Sequence, residues 1–568
     1  MTNPDPGISL PQETRDGRAR IAALAAAGAV EPRPTSLVSY RSTGALVIIG
    51  PEAGAVAAAK RLAPALRCTV VVQKSGTPQA DAGEWTAHTL PPEIAVLREK
   101  VIQVTGHLGQ YAVIVAAPPP EGGVNLLQKL GSQRTHFDLV LDLCTPPFID
   151  DELLPFGYYA PAGDADKLER ALAELPEMVG EFEKPRFFNY NAEICAHGAN
   201  GLTGCTRCID VCPAGAIISM REEVAVDPYK CQGAGACATA CPTGAMTYVY
   251  PTVADHLAKL GAALSAYREA GGERPVILYY DAEAGRARMR ALAPQLPEHV
   301  VPLEIAEIGS VGMDVWLAAL AYGAGGVCLL PTYATPRRVC REVEAQLGYA
   351  RLILEGMGYE PASLAMLPLD DADALATIAA FSAAPLAPAA SFAVFNEKRV
   401  TLRLAIEHLY AHAPQPRREI ALPAGAPFGR ILVNRDACTL CMACVGACPA
   451  GALNDGGDLP QLRFIEDNCV QCGLCQTTCP EGAIALEARY LYDPEARRTP
   501  RVMHEEAPFH CISCGRPFAT GRMMSRMTEK LQGHWMFQSA EALRRIQMCA
   551  DCRVRDMFEA EARRHEAK

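Results

Sequence analysis

Of the 568 residues, 23 are cysteine, and most of these fall in short-spaced groups closed by a proline. Cys438, Cys441, Cys444 and Cys448 precede Pro449, and Cys469, Cys472, Cys475 and Cys479 precede Pro480. Both runs read C-x2-C-x2-C-x3-C-P, a spacing that lets three sulfurs of one tight loop cap three irons of a cluster. Disulfide frameworks belong to small secreted chains, whereas thiols spaced like this are metal ligands and need a reducing compartment. The chemistry on offer is therefore single-electron iron–sulfur chemistry.

The two runs resemble the bacterial two-cluster ferredoxin family with every ligand position filled. In that family the fourth cysteine of each run serves the other cluster. The resemblance thus implies one [4Fe–4S] cluster on Cys438, Cys441, Cys444 and Cys479, and a second on Cys448, Cys469, Cys472 and Cys475. An earlier segment is a modified copy. "CAHGANGLTGCTRCIDVCP" supplies Cys195, Cys205, Cys208 and Cys212, with nine residues in place of two after Cys195. Three glycines in that insertion let it loop out. With the same exchange, Cys195, Cys205, Cys208 and Cys241 complete a third [4Fe–4S] site. In "CQGAGACATACP" the second cysteine position is Ala234, which leaves Cys212, Cys231 and Cys237. Three thiolates suit a [3Fe–4S] cluster. The rival is an open-site [4Fe–4S] cluster whose fourth iron takes water, substrate or a neighbour, with His197, Asp210 and Asp227 nearest in sequence. Read plainly, His197 is a solvated loop residue.

Two further pairs, "CISC" (Cys511, Cys514) and "CADC" (Cys549, Cys552), are C-x2-C knuckles and suit a tetrahedral structural Zn2+. A fifth iron–sulfur cluster is the alternative. Cys68, Cys144, Cys328 and Cys340 are isolated, and Cys68, Cys144 and Cys328, in or beside apolar strands, read as small buried hydrophobes.

The elements that must position these ligands are of two kinds. "ALVIIG", "TVVVQ", "AVIVAA" and "FDLVLDL" read as buried parallel strands, as do "PVILYY", "VVPLEIAEI", "GGVCLLP" and "LAMLPL" after the first cysteine-rich segment. The expected fold class is α/β plus small α+β modules: two parallel-sheet α/β domains alternating with two ferredoxin-like two-cluster modules, and a C-terminal zinc-ribbon-like module. The expected boundaries are a flexible N-terminal tail over 1–40, an α/β domain over 41–185, ferredoxin module 1 over 186–250 and an α/β domain over 251–381. A linker over 382–395, ferredoxin module 2 over 396–495 and a four-cysteine metal-binding module over 496–568 follow. The two cysteine-rich modules form an internal repeat. A dinucleotide site after "VIIGPEAG" is disfavoured: only Gly50 and Gly54 are present, and Glu52 in the turn would oppose a phosphate.

"VVPLEIAEIGSVGMDVWLAALAYGAGGVCLL" with "LGYARLILEGMGYEPASLAMLPL" is similar to the delta subunit of methyl-viologen-reducing hydrogenase. This implies its fold and a docking role, without its [2Fe–2S] ligands, which are missing here. "TGCTRCIDVCPAGAI" and "FHCISCGRPF" resemble the large cytoplasmic 4Fe–4S proteins associated with formate dehydrogenases, which implies a redox or maturation link to a molybdenum- or tungsten-dependent formate dehydrogenase, expected as the redox partner.

The net charge of −11 without a basic block argues against nucleic acid. The uncharged stretches 315–336 and 374–395 are each broken, so neither reads as a membrane span, and the expected location is the cytoplasm. The expected function is a relay of single electrons between a dehydrogenase and an acceptor. The alternatives are an assembly or docking factor for a formate dehydrogenase, and an NAD(P)H- or flavin-linked oxidoreductase using the N-terminal domain.

Overall fold

The protein's structure, a computed structural model, describes residues 8–73, 94–118, 122–273, 275–381, 385–393, 396–457, 459–531 and 533–566. Its first element corrects the expected N-terminal tail. Helix α1 (Arg15–Gly28) starts at Thr14, whose hydroxyl accepts from the Gly17 N–H, and buries Ala19, Ala23, Leu24 and Ala27. These small side chains let α1 lie close along α5 (Val253–Glu269), in one core with Leu260, Leu264 and Tyr267. The fully buried Arg20 donates to the Pro297 and Val300 carbonyls. An alanine face carries too little apolar contrast to stand out in sequence, yet it packs well.

Strand β1 (Leu37–Ser42) pairs antiparallel with β7 (Gly180–Pro185) and flanks the first α/β unit. Within that unit β2 (Ala45–Gly50), β3 (Arg67–Val72), β4 (Ala95–Leu97), β5 (Leu139–Asp142) and β6 (Tyr158–Tyr159) form a parallel sheet in the order β4-β3-β2-β5-β6. Helix α2 (Glu52–Leu62) follows β2. The "AVIVAA" run is not part of this sheet. Ala112–Ala116 instead lies antiparallel between Val101–Thr105 and Gly123–Asn125, and packs Val113 and Val115 against Val47 and Ile49. Beyond the carboxyl ends of β2 and β5, where strand order reverses and ligands usually bind, the crevice is filled. A Cβ on Gly50 would stand 2.7 Å from Leu143 Cβ, and Glu52 takes a two-pronged bond from Arg98 at 2.8 and 2.9 Å.

Module 1 pairs Phe188–Tyr190 with Met246–Tyr248 and forms a hairpin from Ile217–Met220 and Glu223–Val226. Its two short helices, α3 (Arg207–Val211) and α4 (Ala236–Ala240), lie side by side. The second α/β unit contains β8 (Val276–Asp281), α6 (Ala284–Leu292), β9 (Val300–Ile305), α7 (Met313–Ala321), β10 (Gly326–Leu330), α8 (Arg337–Met357) and β11 (Leu364–Met366). Its sheet is parallel, in the order β9-β8-β10-β11. The expected linker packs in part: Ala387 is buried, the Ala390 N–H donates to Ala321 O, and the Phe392 ring sits 5.1 Å from Tyr322. Residues 382–384 and 394–395 of it lie outside the described residues. Helix α9 (Lys398–Ala411) packs on α7 and leads into module 2.

Module 2 has the same order of pairings, with Gly429–Val433 against β12 (Ile484–Leu491) and a hairpin of Leu453–Gly456 and Leu459–Phe464. Its short helices are α10 (Ala443–Gly446) and α11 (Leu474–Thr478). The C-terminal segment adds α12 (Gly521–Leu531) and α13 (Ala550–Glu566). Among the described residues no helix is long and apolar enough to cross a membrane.

Candidate metal centres

The ligand loops owe their shape to backbone in the left-handed region. In Cys438–Cys444 the residues Leu440 and Met442 have φ of 55° and 59°, and in Cys469–Cys475 Gln471 and Gly473 have 55° and 87°. Alternating left-handed residues turn successive N–H groups inward, as in anion-binding nests. The N–H of Leu440 lowers the Cys438 thiol and that of Gln471 lowers Cys469, partly offsetting the burial that raises both. The loop with the missing cysteine has the same geometry. Gly233 and Gly235 have φ of 79° and 77°, and the Gly233 N–H likewise lowers Cys231 against its burial. Ala234 thus sits in an intact ligand loop from which only the sulfur has been removed.

The thiols lie close enough to act on one another, within the expected ligand sets and across them, since Cys208 also raises Cys237 and Cys444 also raises Cys475. Burial, then Cys241, Cys205 and Cys195, push the Cys208 thiol up to about 12. Burial, then Cys441, Cys438 and Cys479, do the same to Cys444, also to about 12. Cys475 is raised by burial and by Cys469, Cys472 and Cys448, and Cys237 by burial, Cys231 and Cys212. Thiols that raise one another's pKa within apolar surroundings are stable as thiolates only beside a cation, so these donor sets fit iron. Backbone N–H groups of Ala216, Met246 and Ala483 reach Cys212, Cys241 and Cys479 at 3.3–3.4 Å, the kind of hydrogen bond that tunes cluster potential.

The two modules meet. A Cβ on Gly204 would stand 2.6 Å from Leu474 Cγ, and the Cys205 thiol, raised to about 11 chiefly by burial, also feels Cys472 across the junction. Two groups that lie far apart in sequence are therefore neighbours in space, which the spacing of cysteines does not encode.

Of the three residues considered for an open iron at Ala234, His197 corrects its expectation. It is 1% exposed, with Nδ1 bonded to Cys205 O at 2.8 Å and Nε2 to Ser219 Oγ at 2.7 Å, and so braces the insertion. Asp210 accepts from the Thr206 hydroxyl, and Asp227 from the N–H groups of Tyr229 and Lys230. The Ala234 corner faces the second α/β unit. A Cβ on Gly235 would stand 2.5 Å from Ser310 Cα, and one on Gly309 would stand 2.4 Å from Ala234 O.

The C-terminal thiols of Cys511, Cys514, Cys549 and Cys552 all lie within 4.8 Å of one another, and Cys514 Sγ is 3.7 Å from Cys549 Sγ. A tetrahedron with Zn–S bonds of about 2.3 Å has edges of about 3.8 Å, so a single zinc ion fits. Burial raises Cys511, but the N–H groups of Cys514, Cys549 and Ser513 outweigh it and bring the thiol down to about 6. Of the isolated cysteines, Cys68 and Cys328 are buried within β3 and β10, while Cys144 and Cys340 are half-buried.

No curated protein matches the chain. Residues 203–245 and 437–483 each match the family described as the 4Fe-4S dicluster domain, the first match beginning after Cys195, and the chain is accordingly a multi-cluster iron–sulfur protein with two ferredoxin-like modules.

Proposed function

We propose that the chain relays single electrons through four clusters between a partner dehydrogenase and an acceptor. The reading gives [4Fe–4S] clusters to Cys195, Cys205, Cys208 and Cys241, to Cys448, Cys469, Cys472 and Cys475, and to Cys438, Cys441, Cys444 and Cys479. Cys212, Cys231 and Cys237 hold a [3Fe–4S] cluster, and the C-terminal four hold zinc. The observation that carries the reading is the junction at Gly204 and Leu474, which sets Cys205 and Cys472 within electrostatic reach. Clusters assembled for delivery gain nothing from such a junction, whereas a relay requires it. The resemblance noted above makes a formate dehydrogenase the partner and the cytoplasm the location.

Low-temperature EPR with metal analysis on anaerobically purified protein tests this. About 15 irons and one zinc per chain, with a near-isotropic three-iron signal, are expected. Formate with a formate dehydrogenase should then reduce the clusters within the enzyme's turnover time. Clusters that stay oxidised under those conditions sink the relay and return the assembly-factor reading.

Two substitutions test the ligand sets. Ala234→Cys should raise the iron content to about 16 and abolish the three-iron signal, because the loop already has the required backbone. An unchanged signal would show that the sulfurs are paired differently. Cys549→Ser should take zinc from about one per chain to near zero while iron is retained.

A further inference from the structure

An opening that the clusters do not explain lies where the first unit, module 1 and the second α/β unit meet. It encloses about 790 Å3, within the range for cofactor sites, and takes in the segments that follow β8 and β10 (Asp281–Ala284 and Thr332–Pro336). The sheet order β9-β8-β10-β11 reverses between β8 and β10, so the opening lies outside the carboxyl ends of the strands at the switch point, where doubly wound sheets bind ligands. In the first unit the corresponding crevice is filled by Leu143 and by the Glu52–Arg98 pair. Here it is open.

One wall of the opening belongs to the three-cysteine loop. Gln232 lines it, and the Phe187 ring packs against Gly233, where a Cβ would stand 2.7 Å away. Phe187 stacks on Tyr248 and meets Tyr250 edge-on. Tyr248 is 3% exposed, lines the opening, and its buried hydroxyl has no hydrogen-bond partner among the described residues. An orphaned buried hydroxyl costs about 1–3 kcal/mol unless a ligand satisfies it. Glu307 also lines the opening and is pushed up to about 8 by burial and by Asp281 and Glu283, so it presents a carboxyl O–H near neutrality. The first turn of α6 is closed to a phosphate, since Asp281 already accepts from the Glu283 and Gly285 N–H groups. The cationic part of the lining is Lys184, Lys259, Arg286 and Arg290.

We propose that this opening is a flavin site, whose isoalloxazine ring lies against the Phe187–Tyr248 wall and exchanges electrons with the cluster on Cys212, Cys231 and Cys237. The proposal rests on the relay reading for its electrons. The oxidised ring takes two electrons, one at a time, from reduced iron–sulfur clusters that the partner dehydrogenase has filled. It also takes two protons and forms two N–H bonds. One proton comes from the Glu307 carboxyl, which is refilled from solvent, and the other comes from water.

The test uses cluster-loaded full-length protein and FMN as the probe, following fluorescence quenching and flavin retained on gel filtration. About one FMN per chain is expected, bleached when the clusters are reduced. Ala282→Trp, which fills the opening, should weaken binding roughly tenfold or more, and Tyr248→Phe, which removes one hydrogen bond, about 2–10-fold. Iron content serves as the control for folding; should Ala282→Trp lose iron, Tyr248→Phe carries the comparison. FMN left unbound by fully iron-loaded wild-type protein overturns the site, as does equal binding by the iron-loaded variants. Bound FMN that stays oxidised beside reduced clusters overturns the electron exchange. Bound FMN with clusters that formate dehydrogenase cannot reduce supports the site and sinks the relay reading alone.

Discussion

Glu466→Ala is expected to destabilise module 2 by about 3–5 kcal/mol, the usual cost of removing one partner of a buried ion pair. Glu466 is 5% exposed and accepts from Arg489 Nε at 2.8 Å and from a second Arg489 nitrogen at 2.7 Å, and the Arg489 side chain is equally buried. Arg501 donates to the same carboxylate. Next in the chain, Asp467 holds Arg497 at 3.1 Å and Arg403 at 3.0 Å, and its carbonyl accepts from Arg399. Arg399 and Arg403 belong to α9, so this paired carboxylate turn ties the inter-module helix to the segment that enters Cys469. Loss of Glu466 strands Arg489 in apolar surroundings with only the half-exposed Glu419 in support. The measurement is the guanidinium midpoint for loss of iron–sulfur absorbance, compared between wild type, Glu466→Ala and Glu466→Gln. The Gln variant keeps hydrogen-bond acceptor capacity and should lose less. Equal midpoints for all three would show that the network contributes nothing to cluster retention.

How far such features could be read from sequence depends on whether a local pattern encodes them. The cysteine runs are local: ligand type, spacing and a following proline lie within a dozen residues in three of them and within 19 in the first, so their chemistry was legible. The seven buried runs that do form parallel strands were also legible, because continuous β-branched and aliphatic text marks a strand covered on both faces. "AVIVAA" carries the same text, yet its pairing is antiparallel, since strand direction is set by connections and not by composition. Helix α1 was hidden by its own alanines, whose burial depends on the matching face of α5. His197 looked like loop because it stands in a glycine-rich insertion; its two hydrogen bonds come from eight and 22 residues away. The Glu466 and Asp467 pairs, the contact between modules and the opening beside Gln232 are all assembled from segments far apart in the chain. No window of sequence contains them.

Lys398 is a contact of that kind, and Lys398→Met is expected to lower the potential of the cluster assigned to Cys195, Cys205, Cys208 and Cys241 by roughly 90 mV. Lys398 begins α9, and its ammonium donates to Ala238 O at 2.9 Å, Thr239 O at 2.5 Å and Cys241 O at 3.0 Å. Those carbonyls close the last turn of α4, the negative end of its dipole. Burial lowers the Lys398 pKa, while Asp314 and then Cys241 oppose that shift by favouring the charged form. A unit charge in contact with the turn that carries a ligand, at an effective dielectric of about 20, contributes on the order of 2 kcal/mol to adding an electron. For one electron that corresponds to roughly 90 mV, taking 59 mV per tenfold change. Methionine keeps most of the stem volume and removes the charge. Asp314→Asn removes the opposing charge, so the same cluster should move to higher potential. Redox titration followed by EPR reads both variants, with the Cys438 cluster in the same chain as internal reference. Shifts of the same sign in the two variants would mean that packing changes, and not the field of the ammonium, set the potential. Opposite signs would identify the field of the Lys398 ammonium, set against that of Asp314, as what tunes this cluster.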